Sequence, residues 1–302
     1  MLEDEVFIWT EAFNCSEILP PFLESFTHHH DFTIHIATSK NDFQSLPEIE
    51  NVRFLPIKDT LSTKLTYTNE KAILRGFKKG HLGTARLWNQ VIRNRRETFL
   101  IHLDADTVFL GDVISPLIAA LKQNFDFVGT RRPYLHRGYR TIGKDARLLD
   151  QHPDALNTDI IGMRRNAIPG RYSPLFTRWI RGKRPIRYPV VDFFDPVLFQ
   201  ALKKRKPVQY LDSPERGNQS IPNESSHIFT NRISFAAVGS GLNFLKNPAV
   251  TTSPGYRAYA ISSYALYSKY LLDMDLGLPT LSNSNIEERL KRLNQRAWTL
   301  NK

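Results

Sequence analysis

Apolar residues fall in short runs separated by stretches with helical spacing, most clearly in the first third of the chain. Val6-Phe7-Ile8-Trp9 reads as a strand that ends at polar Thr10-Glu11, and residues from Ser16 to about His28 suit a helix. Phe32-Thr33-Ile34-His35-Ile36-Ala37 alternates and stops at Thr38-Ser39, and Asn51 to Ile57 predicts a third strand. From Gly83 to Arg95, Ala85, Trp88, Val91 and Ile92 recur at three- and four-residue spacing, the signature of a helix with one apolar face. Thr98 to Leu103 is then a strand running straight into Asp104-Ala105-Asp106.

Strands alternating with helices predict an α/β protein with a mainly parallel central sheet and helices on both faces. Such sheets bind ligands beyond the carboxyl ends of their strands. Thr10, Glu11, Thr38, Ser39, Asp104 and Asp106 all occupy that position. Further on, Asp112 suits the cap of a helix reaching Leu121, and Phe125 to Thr130 predicts a strand. Residues 133 to 155 read as a polar excursion, and Asn157 to Met163 as the next strand. A helix from Asp192 to Lys206, strand character from Ile228 to Val238 and a terminal helix from Ile286 to Asn294 complete the pattern. With no internal repeat and no low-complexity linker, the expectation is one domain over residues 1–302 with an elaborated second half.

Composition narrows the class. Of 302 residues, 41% are hydrophobic and 24% charged, which supports a buried core and excludes a wholly disordered chain. The one cysteine, Cys15, excludes an internal disulfide framework and a four-thiolate zinc site, and reads as a small buried residue. Met1-Leu2-Glu3-Asp4-Glu5 lacks the basic region of a secretory signal, and no run approaches the ~18 apolar residues of a membrane span. The expectation is a cytoplasmic protein.

Charge is concentrated. Residues 131 to 187 carry 14 Lys/Arg against four acids, which accounts for nearly all of the net +11. Such a surface favours phosphate-bearing partners: nucleic acid, anionic lipid or a phosphorylated substrate. Zinc-finger spacing and an aromatic RNA-binding signature are both missing. A non-catalytic nucleic-acid-binding protein therefore stands only as an alternative reading, one that explains the basic stretch but not the acidic pair at a strand end.

Asp104 and Asp106 carry the chemistry. Two carboxylates two residues apart, between apolar Leu103 and Val108-Phe109-Leu110, are held close to the sheet. There, repulsion and desolvation are costly unless a cation compensates. Hard divalent ions such as Mg²⁺ and Mn²⁺ take carboxylate oxygens together with substrate phosphates.

Gly83-Thr84-Ala85-Arg86-Leu87, a helix, then Phe99-Leu100-Ile101-His102-Leu103-Asp104-Ala105-Asp106-Thr107-Val108-Phe109-Leu110-Gly111-Asp112 resembles the core of GT-A fold glycosyltransferases with their Asp-x-Asp motif. Within that fold it is most similar to the glycogenin-like, retaining, nucleotide-sugar-dependent enzymes. Asn157 to Gly162 resembles the later strand that borders the sugar site. The resemblance implies a metal-dependent glycosyltransferase that moves a sugar from a nucleotide-diphosphate sugar, by default a uridine one, to a glycan, lipid-linked or other hydroxyl acceptor. It divides the domain into a nucleotide-sugar half (1–112) and an acceptor half (113–302). It assigns Asp104 and Asp106 to Mn²⁺ or Mg²⁺, Arg86 to the acidic motif or the diphosphate, and Thr10, Glu11, Thr38 and Ala105 to the nucleoside. His227 stands where a third metal ligand is expected, although the Gly and Lys-Pro-Trp that follow it in the family are replaced here. Asp159 would lie near the sugar in a retaining reaction, whereas Asp192 or Asp195 would be the base of an inverting one. The basic stretch 164–187, with Tyr172, Trp179 and Tyr188, would meet an anionic acceptor or an anionic membrane surface.

Asp104-Ala105-Asp106-Thr107-Val108 also resembles the opening motif of haloacid-dehalogenase-type phosphatases. That family places the motif on its first core strand, whereas three strands precede it here. A nucleotidyltransferase would carry a Gly-rich loop after the first strand, and Thr10-Glu11-Ala12-Phe13-Asn14 has no glycine. His28-His29-His30 reads as a polar loop, and Gly239-Ser240-Gly241 as a turn.

Overall fold

The computed structural model describes residues 5–12, 19–39, 48–57, 86–105, 107–109, 111–133, 154–168, 201, 204–211, 215–216, 229–230, 235–237, 265, 268–269, 273–275 and 277. Seven strands form one sheet: β1 (Val6–Glu11), β2 (Ile34–Thr38), β3 (Val52–Pro56), β4 (Phe99–Leu103), β6 (Phe127–Pro133), β7 (Asp154–Arg164) and β8 (Val208–Leu211). Their order is β3-β2-β1-β4-β7-β6-β8. Every neighbouring pair is parallel except the two that β7 makes, with β4 and with β6.

The central strands are apolar on both sides because helices cover both faces. Val6 and Ile8 of β1 and Phe99, Ile101 and Leu103 of β4 face α1 (Leu19–His29) and α3 (Ile114–Lys122). Phe7, Trp9 and Leu100 face α2, whose described part spans residues 86–92 and buries Leu87, Trp88, Val91 and Ile92. The sheet is therefore a doubly wound α/β layer, as the alternation in the sequence predicts. No described helix is long and apolar enough to cross a membrane.

Local chemistry sets the helix ends. Pro20 and Pro21 occupy the first turn of α1, where a missing N–H costs nothing. Asp112 Oδ1 accepts from Ile114 N at 2.9 Å and Ser115 N at 3.1 Å, which starts α3. At its other end Arg164 donates to the Leu121 carbonyl through Nε at 3.0 Å and Nη2 at 2.8 Å. Gly162 of β7 lies under α3: a Cβ there would stand 3.1 Å from Leu121 Cδ1, so its absence lets the helix rest on the sheet.

The histidine run differs from its expected loop. His28 and His29 form the last turn of α1, and His30 follows it, buried. Phe26 carries the cause: the apolar stripe of Leu19, Phe22, Leu23 and Phe26 reaches the end of the helix, and His30 stacks on Phe26 with ring centroids 4.6 Å apart.

The strand after Asp104-Ala105-Asp106, β5 (Thr107–Phe109), leaves the large sheet and pairs antiparallel with β11 (Phe235–Ala237). β9 (Glu215–Arg216) pairs with β10 (Phe229–Thr230) in a second small ribbon. The strand character from Ile228 to Val238 is thus shared by two short strands in different ribbons. The expected C-terminal helix, Cys15 and Gly239 to Gly241 lie outside the described residues.

Candidate active site

The chain runs outward from β1 through β2 to β3, then returns to place β4 on the other side of β1. The crevice beyond the carboxyl ends at such a reversal is where open α/β sheets bind ligands. Glu11 ends β1 and Asp104 follows β4. The pairing of Trp9 with His102 sets these two carboxylates level with each other.

One buried imidazole stands between them. His102 Nε2 lies 2.6 Å from Glu11 Oε2 and 3.8 Å from Asp104 Oδ1. Trp9 Nε1 donates to the other Glu11 oxygen, Oε1, at 3.0 Å. Glu11 as a carboxylate only accepts, so His102 Nε2 carries a proton and donates it. The imidazole is packed against Trp88, with centroids 4.4 Å apart, and against Trp9, at 5.2 Å. Side-chain exposure is 2% at His102, 15% at Glu11 and 32% at Asp104, so polarity grades outward from a dry wall to an accessible carboxylate.

Period-two alternation builds this cluster. Trp9 and Glu11 share one face of β1, and His102 lies on the same face of β4. Thr10 belongs to the opposite face, where its hydroxyl is buried with no partner among the described residues. Thr38 Oγ1 donates to the Ala12 carbonyl, so this hydroxyl pins the chain leaving β1. The structure therefore joins Glu11 to Asp104 and leaves the Thr10 hydroxyl apart from them.

The remaining candidates can be placed by register. Arg95 stacks over Phe7, near the start of β1, with Cζ 4.1 Å from the ring, while Trp88 sits at His102 near the end of β4. This segment therefore runs against the strands, and exposed Arg86 lies toward their carboxyl ends. Ala105 is buried in a turn closed by Thr107 N donating to the Asp104 carbonyl at 3.1 Å. Ile160 pairs with Leu103, so the next residue outward on β7, Asp159, stands level with Asp104. Asp106, Asp192, Asp195 and His227 lie outside the described residues. Among the described residues no three His, Cys, Asp or Glu side chains gather as a metal site.

The basic stretch 164–187 is corrected at its start. Arg164 pairs with Phe99, at the beginning of β4, about 13 Å along the strand from Leu103. Its guanidinium caps α3, and Arg165 Nε approaches the Arg95 carbonyl at 3.4 Å. Both hold the far end of the sheet rather than an acceptor. Residues 169–187 lie outside the described residues.

Sequence reasoning missed His102, which sits inside an apolar run and reads as a strand residue. The signal was its alternation: two residues before Asp104, just as Trp9 stands two residues before Glu11.

No protein-family model matches this sequence, and no curated protein matches it. Among solved structures the chain is similar to an active-site mutant of LgtC, with a TM-score of 0.50 and 12% identity over 77% of this chain and 86% of that one. It is also similar to mouse xyloside xylosyltransferase 1 in its apo form, with a TM-score of 0.37 and 8% identity over 68% of this chain and 85% of that one. At such identity the likeness to LgtC is one of fold.

Proposed function

We propose that this chain is a glycosyltransferase that takes a sugar from a nucleotide-diphosphate donor to a hydroxyl acceptor with the help of a divalent cation. One observation carries the reading: the carboxylates of Glu11 and Asp104 stand at the ends of the adjacent strands β1 and β4 at the reversal point and face the same imidazole, at 2.6 Å and 3.8 Å. The fold shared with LgtC, a glycosyltransferase, supports it.

The donor set suits Mn²⁺ or Mg²⁺. Asp104 offers an accessible carboxylate at a strand end, and Asp106 is the second oxygen donor in the motif. His227 is the proposed third ligand. When bound, such an ion neutralises charge that grows on the departing diphosphate. Glu11, held at both oxygens, presents a fixed acceptor wall for the N–H or O–H groups of a nucleoside. Arg86 is assigned to the diphosphate as a charge-assisted donor. Asp159 is assigned to the sugar side, with Asp192 and Asp195 as alternative bases for the acceptor hydroxyl. The basic residues from Arg171 to Arg187 are assigned to an anionic acceptor glycan.

The test is a thermal-shift panel of uridine, guanosine, adenosine and cytidine diphosphates, each with and without Mn²⁺. A ligand at a hundredfold excess over Kd stabilises the fold by about 2.7 kcal/mol. One diphosphate should raise Tm, and more so with Mn²⁺. A flat panel would overturn the reading.

A further inference from the structure

The Glu11–His102–Asp104 arrangement holds more than a metal motif needs. A lone strand-end carboxylate is ordinarily oriented by solvent or by its own turn. Here a buried imidazole with a single N–H toward the crevice faces two carboxylates on adjacent strands, at 2.6 Å and 3.8 Å. The shorter contact is a charge-assisted hydrogen bond, and the longer one is a through-space attraction to the same edge of the ring. Two indole rings pack against the imidazole, Trp88 at 4.4 Å and Trp9 at 5.2 Å, and against each other at 5.1 Å, so the ring is seated in an aromatic cluster that holds it in place. Trp9 also supplies the second hydrogen bond to Glu11, and Glu11 is thereby fixed from below by two donors.

We propose that His102 is a positioning residue for donor binding: its Nε2–H fixes the Glu11 carboxylate at the nucleoside end of the crevice and stands against Asp104 at the diphosphate end. It touches neither substrate nor the reacting atoms and acts through Glu11. The proposal rests on the glycosyltransferase reading above and deepens it. It also explains why a polar side chain occupies the middle of a strand whose other residues are all apolar and buried: Phe99, Leu100, Ile101 and Leu103.

A double-mutant cycle tests it. Uridine diphosphate with Mn²⁺ is the probe, with the other three diphosphates run in parallel. Dissociation constants are measured by calorimetry for wild type, His102→Phe, His102→Gln, Glu11→Gln and the double variant Glu11→Gln/His102→Phe. Phenylalanine keeps the aromatic packing and removes the donor; glutamine places an N–H near the original Nε2. His102→Phe should weaken binding about ten- to a hundredfold, the scale of losing a hydrogen bond to a charged group. His102→Gln should restore most of it. The double variant should bind no more weakly than Glu11→Gln alone, because the two groups act as one unit. A merely structural role predicts a lowered Tm with additive losses and no rescue by glutamine. That result, or His102→Phe binding like wild type, overturns the proposal while leaving the glycosyltransferase reading intact. Wild type that binds none of the diphosphates removes both. Should His102→Phe fail to fold, His102→Asn, whose amide is too short to reach Glu11, takes its place in the cycle.

Discussion

The Val113 amide donates to His30 Nε2 at 3.0 Å, which ties the end of α1 to the start of α3. Because Nε2 accepts there, the ring proton sits on Nδ1 and points to the Phe26 carbonyl at 2.9 Å. A second ring proton would face the Val113 N–H donor-to-donor, although Asp112 Oδ1 at 3.6 Å offsets part of that cost.

This neutral imidazole makes stability depend on pH. Burial is the main cause that pushes His30 and His35 below the ordinary value of 6.5, and it takes His29 down to about 4, with the neighbouring imidazoles helping at His29. The folded state then binds fewer protons than the unfolded one, so this stability is whole above about pH 6.5 and is lost as pH falls toward 4. Urea midpoints taken from pH 8 to pH 4.5 should fall below about 6.5. His29→Asn, at a half-buried position, should flatten the acid end of that slope. A constant midpoint across the range would contradict the assignment.

Arg164→Met should destabilise the fold by about 1.5–3 kcal/mol, since it removes two charge-assisted hydrogen bonds from the last turn of α3. Nucleotide affinity should stay within about twofold, because the capped helix end lies at the opposite end of the strands from Asp104. Chemical denaturation and calorimetry on the same preparation separate these effects. An acceptor-binding arginine would instead leave stability nearly unchanged and weaken binding of an anionic acceptor.

Two glycines on neighbouring strands should respond unequally to alanine. A Cβ at Gly129 would stand 2.8 Å from the backbone oxygen of Ile160, beside the irregularity between β6 and β7. At Gly162 the nearest atom, at 3.1 Å, is the end of the Leu121 side chain, which can rotate away. Gly129→Ala should cost about 1–3 kcal/mol and Gly162→Ala less, as read from urea midpoints.

Asp104→Asn and Asp106→Asn proteins should keep the wild-type Tm without ligand and lose the extra stabilisation that Mn²⁺ gives the bound diphosphate. Donor turnover should fall by roughly two orders of magnitude or more, the scale of removing a fixed electrostatic partner. Full turnover in both variants would end the metal assignment.

The first four strands were legible because burial on both faces writes them as apolar runs: β3 and β4 lie within the segments that the pattern marks, while β1 runs on through Thr10 and Glu11 and β2 through Thr38, the polar residues expected just beyond them. α1 is described from Leu19, with paired prolines in the opening turn of that range, and Ser16, where the pattern starts it, lies outside the described residues. The direction of β7 was not legible. Its apolar residues serve equally well in either orientation, and only pairing with β4 decides. The hydrogen bond between His102 and Glu11 was hidden for the same reason, since 91 positions separate the partners. Arg164 looked like part of a basic surface because charge counting does not show which carbonyl a guanidinium will meet.

The pairing of β5 with β11 has a consequence for biogenesis. Residues 107–109 find their partner only at 235–237, so a ribosome must extend the chain by about 130 residues before that ribbon closes. Closing a loop of this size costs on the order of 4 kcal/mol of chain entropy. The backbone just past Asp104 is thus among the last to be anchored, and a nascent chain stalled short of residue 237 would emerge with its central sheet begun and this ribbon still open.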